Sequence, residues 1–421
     1  MFYKTKHKNG MRVIVAPMKD SKTITLLALF GVGSKYERDK IAGISHFLEH
    51  MFFKGTKKRP NSLAISEYLD EVGGEYNAFT SKEYTGYYAK VTPRHTDRAF
   101  DMVSDILKNS KFDAQEIDRE RGVIIEEMNM YQDTPMMYVG DLFENLIYSK
   151  QPAGRLIIGN KKSIQNMKRN DFINHYNNYY NTSNMVVCVA GKITTQNARQ
   201  LVRRHFSGFN NEIIKDKNKV IEKQTHPEVS VHNKNTDQSH IVLGMRGYDI
   251  HDKRKYAQSL LSVILGGGMS SRLFISVRER LGLAYYIRCS AETYTDTGYL
   301  AVHAGVDNKK IDKAIKVILS ELNRIKAEGI SDKELKKAKE YIKGKTMMGL
   351  EGSDDYCLWL ATQEILTNNL ENIEKKFKKI DQVTTDDIQE ISKDLIKNKK
   401  LNLAVIGPYK SSDRFKKYFK L

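Results

Sequence analysis

Hydrophobic and polar positions divide the chain into short alternating runs and longer helical periodicities, in an order that occurs twice. Thr23 to Phe30 and Glu75 to Val91 read as strands, whereas apolar residues three and four apart over Ile41 to Phe53 and Ser62 to Val72 predict helices. Gly73-Gly74 ends the second helix and lets the chain turn into the next strand. Helical patterns over Thr96 to Leu107 and Asp113 to Met130 are matched past the midpoint by Lys309 to Ile325 and Ser331 to Met348. The clearest internal echo pairs Glu83-Tyr84-Thr85-Gly86-Tyr87-Tyr88-Ala89 with Thr295-Asp296-Thr297-Gly298-Tyr299-Leu300-Ala301, offset by 212 residues. A period that long means a duplicated domain and not a solenoid.

Strands and helices mix without strict βαβ alternation, so the expected class is α+β. Two tandem homologous domains are predicted, each an antiparallel-rich mixed sheet with helices packed on one face. Asn210 to Thr225 is charged and has little apolar periodicity, as a connection would. The expected division is therefore residues 1–212, a linker at 213–227, and residues 228–421.

Composition narrows the picture. With 40% hydrophobic and 29% charged residues, the chain has material for buried cores, and 421 residues exceed one ordinary core. No apolar run approaches the roughly 18 residues needed to cross a bilayer, and the opening Met1-Phe2-Tyr3-Lys4-Thr5-Lys6-His7-Lys8 lacks the apolar segment of a signal peptide. Cys188, Cys289 and Cys357 form no C-x-x-C pair, so neither a disulfide framework nor a thiolate metal site is expected. A reducing, cytoplasmic setting without a membrane partner follows as the expectation. The formal charge of +18 is dispersed, with lysines interleaved with acids as in Ser331-Asp332-Lys333-Glu334-Leu335-Lys336-Lys337-Ala338-Lys339-Glu340. That pattern reads as solvated helix faces, and no nucleic-acid partner is expected.

One constellation carries chemistry. In His46-Phe47-Leu48-Glu49-His50 two imidazoles at i and i+4 project from one helix face, with Glu49 beside them. Phe47, Leu48, Met51 and Phe52 form the apolar face opposite. The two histidines suit one zinc ion, and the carboxylate lies close enough to polarise a water without being a ligand. With 11 histidines and 51 acids such a match arises by chance in roughly three of a hundred chains. A third ligand is therefore needed, and the helix from Asp113 to Met130 offers Glu116, Glu120, Glu126 and Glu127. Glu120 and Glu127, almost two full turns apart, share a face, while Glu126 falls on another. One of the pair can ligate while the other hydrogen-bonds a ligand histidine, and spacing alone leaves open which does which.

The run Gly43-Ile44-Ser45-His46-Phe47-Leu48-Glu49-His50-Met51-Phe52-Phe53-Lys54-Gly55-Thr56 resembles the inverted-zincin peptidases of the pitrilysin and mitochondrial processing peptidase family, in its short-chain bacterial processing-protease branch. Asn77-Ala78-Phe79-Thr80 and the segment to Thr85 resemble that family's substrate-binding edge strand, and Arg119 to Glu127 its distal acidic helix. The resemblance implies zinc held by His46, His50 and Glu127, which lies 77 residues beyond His50. It gives Glu120 the hydrogen bond to a ligand histidine, and it makes Glu49 the general base activating water at the zinc for attack on a peptide carbonyl.

In the second half the corresponding positions read Ser259-Leu260-Leu261-Ser262-Val263, and the counterpart of Glu127 falls near Lys345. One zinc per chain is expected, in the N-terminal domain, with the C-terminal domain contributing to substrate binding. Gly266-Gly267-Gly268 reads foremost as a helix stop. The resemblance also implies that Arg278 and Tyr285, seven residues apart, bind substrate and the developing oxyanion. It further implies a closed chamber built by a homodimer, or by a heterodimer with a paralogue, that cleaves short or unfolded polypeptides. The alternative is a non-catalytic structural or substrate-presenting subunit of a peptidase complex.

Overall fold

The structure is a computed structural model that describes residues 1–212 and 214–419. The chain forms two compact units, each with one sheet. The first comprises residues 1–128, 155–218 and 347–372; the second comprises 129–154, 219–346 and the chain from Ile373 onward.

The first unit contains β1 (Tyr3–Lys6), β2 (Arg12–Pro17), β3 (Ile24–Phe30), β4 (Glu75–Thr80), β5 (Thr85–Val91) and β6 (Met185–Gly191). They pair in the order β1-β2-β6-β3-β5-β4, antiparallel throughout except for β2 with β6. Strands β7 (Glu228–Asn233), β8 (Gln238–Gly247), β9 (Ala284–Thr293), β10 (Gly298–Asp307) and β11 (Leu401–Gly407) build the second sheet, ordered β7-β11-β8-β10-β9. Again one pair is parallel, β7 with β11. Leaving out β1, the two sheets share strand order and strand sense, so the α+β duplication read from the pattern is present. The Thr85 and Thr297 echoes fall at the start of β5 and just before β10, equivalent strands of the two sheets.

All seven residues of β3 are buried, which requires cover on both faces of the sheet. One face carries helices from the same half, among them Thr96–Asn109 against β5 and Thr195–His205 against β2. The other face buries Ile14, Leu27, Leu29, Val186 and Cys188 against Cys357, Leu360 and Ala361 of the helix Ser353–Thr367, which comes from the far half of the sequence. Ser353 reinforces the join, its hydroxyl lying 2.8 Å from that of Thr25. The second unit has the reciprocal arrangement. Its sheet packs Val242, Tyr299, Ala301, Ala404 and Ile406 against Val139, Phe143 and Ile147 of the helix Pro135–Ile147, which comes from the first half.

The compact units therefore differ from a plain division at residues 213–227: residues 129–154 and 347–372 are exchanged. The physical reason is that a strand apolar on both sides needs a second layer, and each half-sequence supplies one helix to the other half's sheet. Among the described residues no helix is long and apolar enough to cross a membrane.

Candidate metal centre

In chain order the first four α-helices are α1 (Ile44–Met51), α2 (Ser62–Asp70), α3 (Thr96–Asn109), which packs on β5, and α4 (Ala114–Gln132). The site itself is built by α1 and α4, with β4 alongside. Helix α1 begins at Ile44, three residues later than the pattern suggested, because Gly43 sits at φ +93° and breaks the helical run. A side chain there would also drive a Cβ to 2.5 Å from the Ile158 carbonyl oxygen, so the position demands glycine. The carboxylate of buried Glu37 accepts from the backbone N–H groups of Gly43 (2.7 Å) and Ser45 (2.8 Å), satisfying donors at the start of α1. Burial pushes the Glu37 carboxyl up to about 7, against the pull of those hydrogen bonds and of Arg155.

Ile44, Phe47, Leu48 and Met51 are buried beneath α1, which fixes the roll of the helix and turns His46, Glu49 and His50 together. The imidazole rings of His46 and His50 lie 4.7 Å apart. Glu127 on α4 bridges them, with one oxygen 3.6 Å from His46 Nε2 and the other 3.6 Å from His50 Nε2. Those separations are too long for hydrogen bonds. They match the spacing of about 3.4 Å expected for two ligand atoms each about 2.1 Å from one tetrahedral ion. Ligating atoms of His46, His50 and Glu127 all fall within 4.8 Å of one another, and among the described residues this is the one such group of three.

The electrostatics fit the same donor set. Burial, helped by His50, drives His46 down to about 3, so its imidazole is neutral and keeps a lone pair to donate. Glu120, one face-sharing turn pair before Glu127, accepts from His50 Nδ1 at 2.9 Å and from Lys54 at 2.6 Å. Burial raises the Glu120 carboxyl, but those two hydrogen bonds outweigh it and hold it below the usual range. Its bond to Nδ1 fixes the His50 tautomer and leaves Nε2 free to face Glu127. Glu127 is raised by burial. The residues present therefore suit a zinc ion by number, type and spacing.

Glu49 points beside this set and receives a hydrogen bond from Thr80 Oγ1 at 2.5 Å. Burial raises its carboxyl above the ordinary value; the Thr80 hydrogen bond and His50 oppose the rise. Thr80 ends β4, which is the edge strand of its sheet. Asn77 on that strand is exposed, Ala78 is buried, and Phe79 lies over Gly86 of β5, where any Cβ would meet its ring at 2.2 Å.

Arg278 and Tyr285 belong to the second unit. Arg278 lies in a π-helical turn, Phe274–Glu279, with its guanidinium 4.8 Å from the Phe274 ring centroid and 5.9 Å from that of Tyr285. Tyr285, on β9, is 74% exposed. The seven-residue spacing does make them neighbours. Gly266 and Gly267 end the helix Lys255–Gly266, and a Cβ on Gly266 would come within 2.3 Å of the Cys289 backbone nitrogen. Close packing on β9 is thus what that glycine serves. Sequence reasoning missed Glu37 and Lys54. Glu37 stands in no recognisable spacing to the histidines and enters only through the folded helix start, whereas Lys54, four residues after His50, was signalled by helical spacing but acquires its role only when α4 brings Glu120 between the two.

A duplicated α+β chain with one candidate metal centre, confined to one copy, is the class that fold and site define. Residues 12–161 match the family model described as insulinase (peptidase family M16), and residues 166–342 match that of the peptidase M16 inactive domain. The chain is 33% identical over 402 residues to the uncharacterized zinc protease YmxG of Bacillus subtilis, covering 95% of this chain and 97% of that one. It is 32% identical to an uncharacterized zinc protease of Mycobacterium leprae, covering 96% and 91%. A solved protease from Helicobacter pylori superposes with a TM-score of 0.91 at 25% identity, covering 97% of this chain and all of that one. The chain belongs to peptidase family M16, and it resembles the short bacterial members along its whole length.

Proposed function

We propose that the protein is a zinc-dependent endopeptidase that cleaves short or unfolded polypeptides. The observation that carries this reading is the convergence of His46, His50 and Glu127 at ligand spacing beside the unligated carboxylate of Glu49. Relatives named as zinc proteases support it.

His46, His50 and Glu127 would hold the ion, one per chain, and Glu120 orients His50 through Nδ1. A zinc ion in such a site acts as a Lewis acid and lowers the pKa of water. Glu49 takes a proton from the attacking water and returns it to the leaving amine. A carboxyl raised by burial is suited to that two-way transfer, because its pKa lies nearer the working pH. The free edge of β4 from Asn77 to Thr80 takes an extended peptide as an added strand, through main-chain hydrogen bonds that tolerate many sequences. Arg278 and Tyr285 donate hydrogen bonds to substrate and to the oxyanion. They act within a closed chamber formed by two chains, a homodimer in the simplest case, in a reducing cytoplasmic setting that suits three buried free thiols.

A non-catalytic presenting subunit would not need Glu49, His46, His50 and Glu127 intact together, and for that reason the enzymatic reading is preferred. Incubation with a mixed peptide library, with and without a chelator, tests it by mass spectrometry of the cut sites. Cleavage that stops on chelation and returns with zinc is expected; equal cleavage in both arms contradicts the proposal.

A further inference from the structure

The second unit holds a cavity of about 190 Å³ that is lined by none of the residues assigned above to metal, proton transfer or substrate. Its walls come from the end of the helix Lys255–Gly266, the segment Ser270–Arg280, and the helices Ile311–Glu328 and Asp332–Gly349. Three buried polar atoms of its lining residues have no hydrogen-bond partner among the described residues: the donors Ser271 Oγ and Arg272 Nη1, and Glu321 Oε2, an acceptor whose charge is met by the Arg324 guanidinium at 3.1 Å. Ser271 is only 6% exposed. A buried hydroxyl and a buried guanidinium N–H left unpaired cost about 1–3 kcal/mol each, which makes a missing acceptor the economical explanation.

The rest of the guanidinium is fixed. Arg272 donates through Nε and Nη2 to the two oxygens of Glu334, at 2.7 and 3.0 Å, and through Nη2 to the Gly329 carbonyl at 3.0 Å. That fork holds the plane of Arg272 rigid, with Nη1 as the remaining donor. The wall also carries Arg280, Arg324 and Lys337. Lys337 spends one donor on the Ser270 carbonyl at 2.8 Å. Two acids line the cavity, and both are engaged: Glu334 with Arg272, and Glu321 with Arg324 at 3.1 Å. Four cations against two committed carboxylates leave the site positive and rich in donors. Val263, Ile264, Ile275 and Ala338 supply an apolar side. The volume corresponds to about six waters at about 30 Å³ each, room for more than a lone water.

We infer that this cavity binds a small organic anion, whose carboxylate or phosphoryl oxygens accept from Ser271 Oγ and Arg272 Nη1 while its apolar body lies on the Val263–Ile275 wall. A cation would meet a wall on which positive side chains outnumber carboxylates four to two. An anion completes the unsatisfied donors and gains charge-assisted hydrogen bonds from Arg272, the stronger kind.

Calorimetric titration of the full chain, at fixed ionic strength in chloride, tests this without reference to peptidase activity. The probes are phenyl phosphate, benzoate, inorganic phosphate and, as the cationic control, benzylamine. Saturable binding of phenyl phosphate or benzoate at one per chain is expected, with benzylamine inert; which of the two binds more tightly separates a phosphoryl from a carboxylate ligand. Ser271→Ala should weaken binding about ten- to a hundredfold, the worth of one hydrogen bond to a charged acceptor. Lys337→Gln, at an exposed position that the fold tolerates, should weaken it severalfold, whereas Lys313→Gln on the outer face of the helix Ile311–Glu328 should leave it unchanged. Absence of saturable binding by all three anions, or binding unaltered in both Ser271→Ala and Lys337→Gln, overturns the inference.

Discussion

Removing the carboxylate of Glu120 isolates the contribution of a residue that touches the candidate ion only through another. In Glu120→Ala, His50 Nδ1 loses its 2.9 Å acceptor and Lys54 its 2.6 Å partner, while His46, His50 and Glu127 all remain. Glu120 is 5% exposed, so water cannot freely replace the lost oxygen. A hydrogen bond involving a charged group in such surroundings is worth about 1.5–3 kcal/mol, and each 1.4 kcal/mol is tenfold in affinity. Zinc affinity should therefore fall by about 10- to 100-fold, the range found when the group orienting a ligand histidine is removed. Competition against a chromophoric chelator measures the change directly. Glu126→Ala, on an exposed face of the same helix, serves as the control and should leave affinity unchanged. A folded Glu120→Ala protein that binds zinc within twofold of the unaltered chain would refute the orienting role and with it the reading of α4.

Thr80→Val removes the hydrogen bond that favours the Glu49 carboxylate, so the Glu49 carboxyl rises further and the acidic limb of kcat/KM moves to higher pH; an unmoved limb would detach Thr80 from the chemistry. Glu37→Gln sets an amide NH2 against one of the two backbone N–H groups that the carboxylate now accepts from, and should cost about 1–3 kcal/mol in denaturant unfolding, with zinc content falling as the start of α1 loosens. Gly43→Ala forces a Cβ toward the Ile158 carbonyl at φ +93°, and a marked drop in Tm is expected, where an unchanged Tm would mean the α1 entry is not constrained as described. Light scattering should return twice the chain mass if the chamber is a homodimer, and a monomer that cleaves peptides at full rate would contradict that assembly.

The sequence was most legible where one element carries its own signal. The helix holding His46 and His50, the strands within Thr23–Phe30 and Glu75–Val91, and the acidic helix all lie within a few residues of their expected limits, because each has a clear periodicity, helped by a breaker where Gly73-Gly74 separates helix from strand and missed where Gly43 delays the start of α1. The shared face of Glu120 and Glu127 followed from helical pitch, although which of them bridges the histidines and which anchors His50 required the resemblance. The exchange of Pro135–Ile147 and Ser353–Thr367 between sheets was not legible. The apolar residues of Pro135–Ile147 state that a face is to be buried but not which sheet it will cover, and Ser353–Thr367, whose buried face includes Ser353 and Glu364, does not even mark its face. Glu37 was equally hidden, since a carboxylate that satisfies a helix start from six residues upstream leaves no fixed spacing to find.

The central claim is that Glu49 performs proton transfer while His46, His50 and Glu127 hold the metal, and the substitution Glu49→Gln separates the two. It keeps the size of the side chain and its place near Thr80 but removes the base. Zinc content by elemental analysis, paired with cleavage of a quenched peptide by the same preparation, is the decisive measurement. One zinc per chain with cleavage reduced at least a thousandfold, at the upper part of the range of about 10²–10⁴ for general acid–base catalysis, is the predicted result. Cleavage by Glu49→Gln at the rate of the unaltered protein would contradict the account.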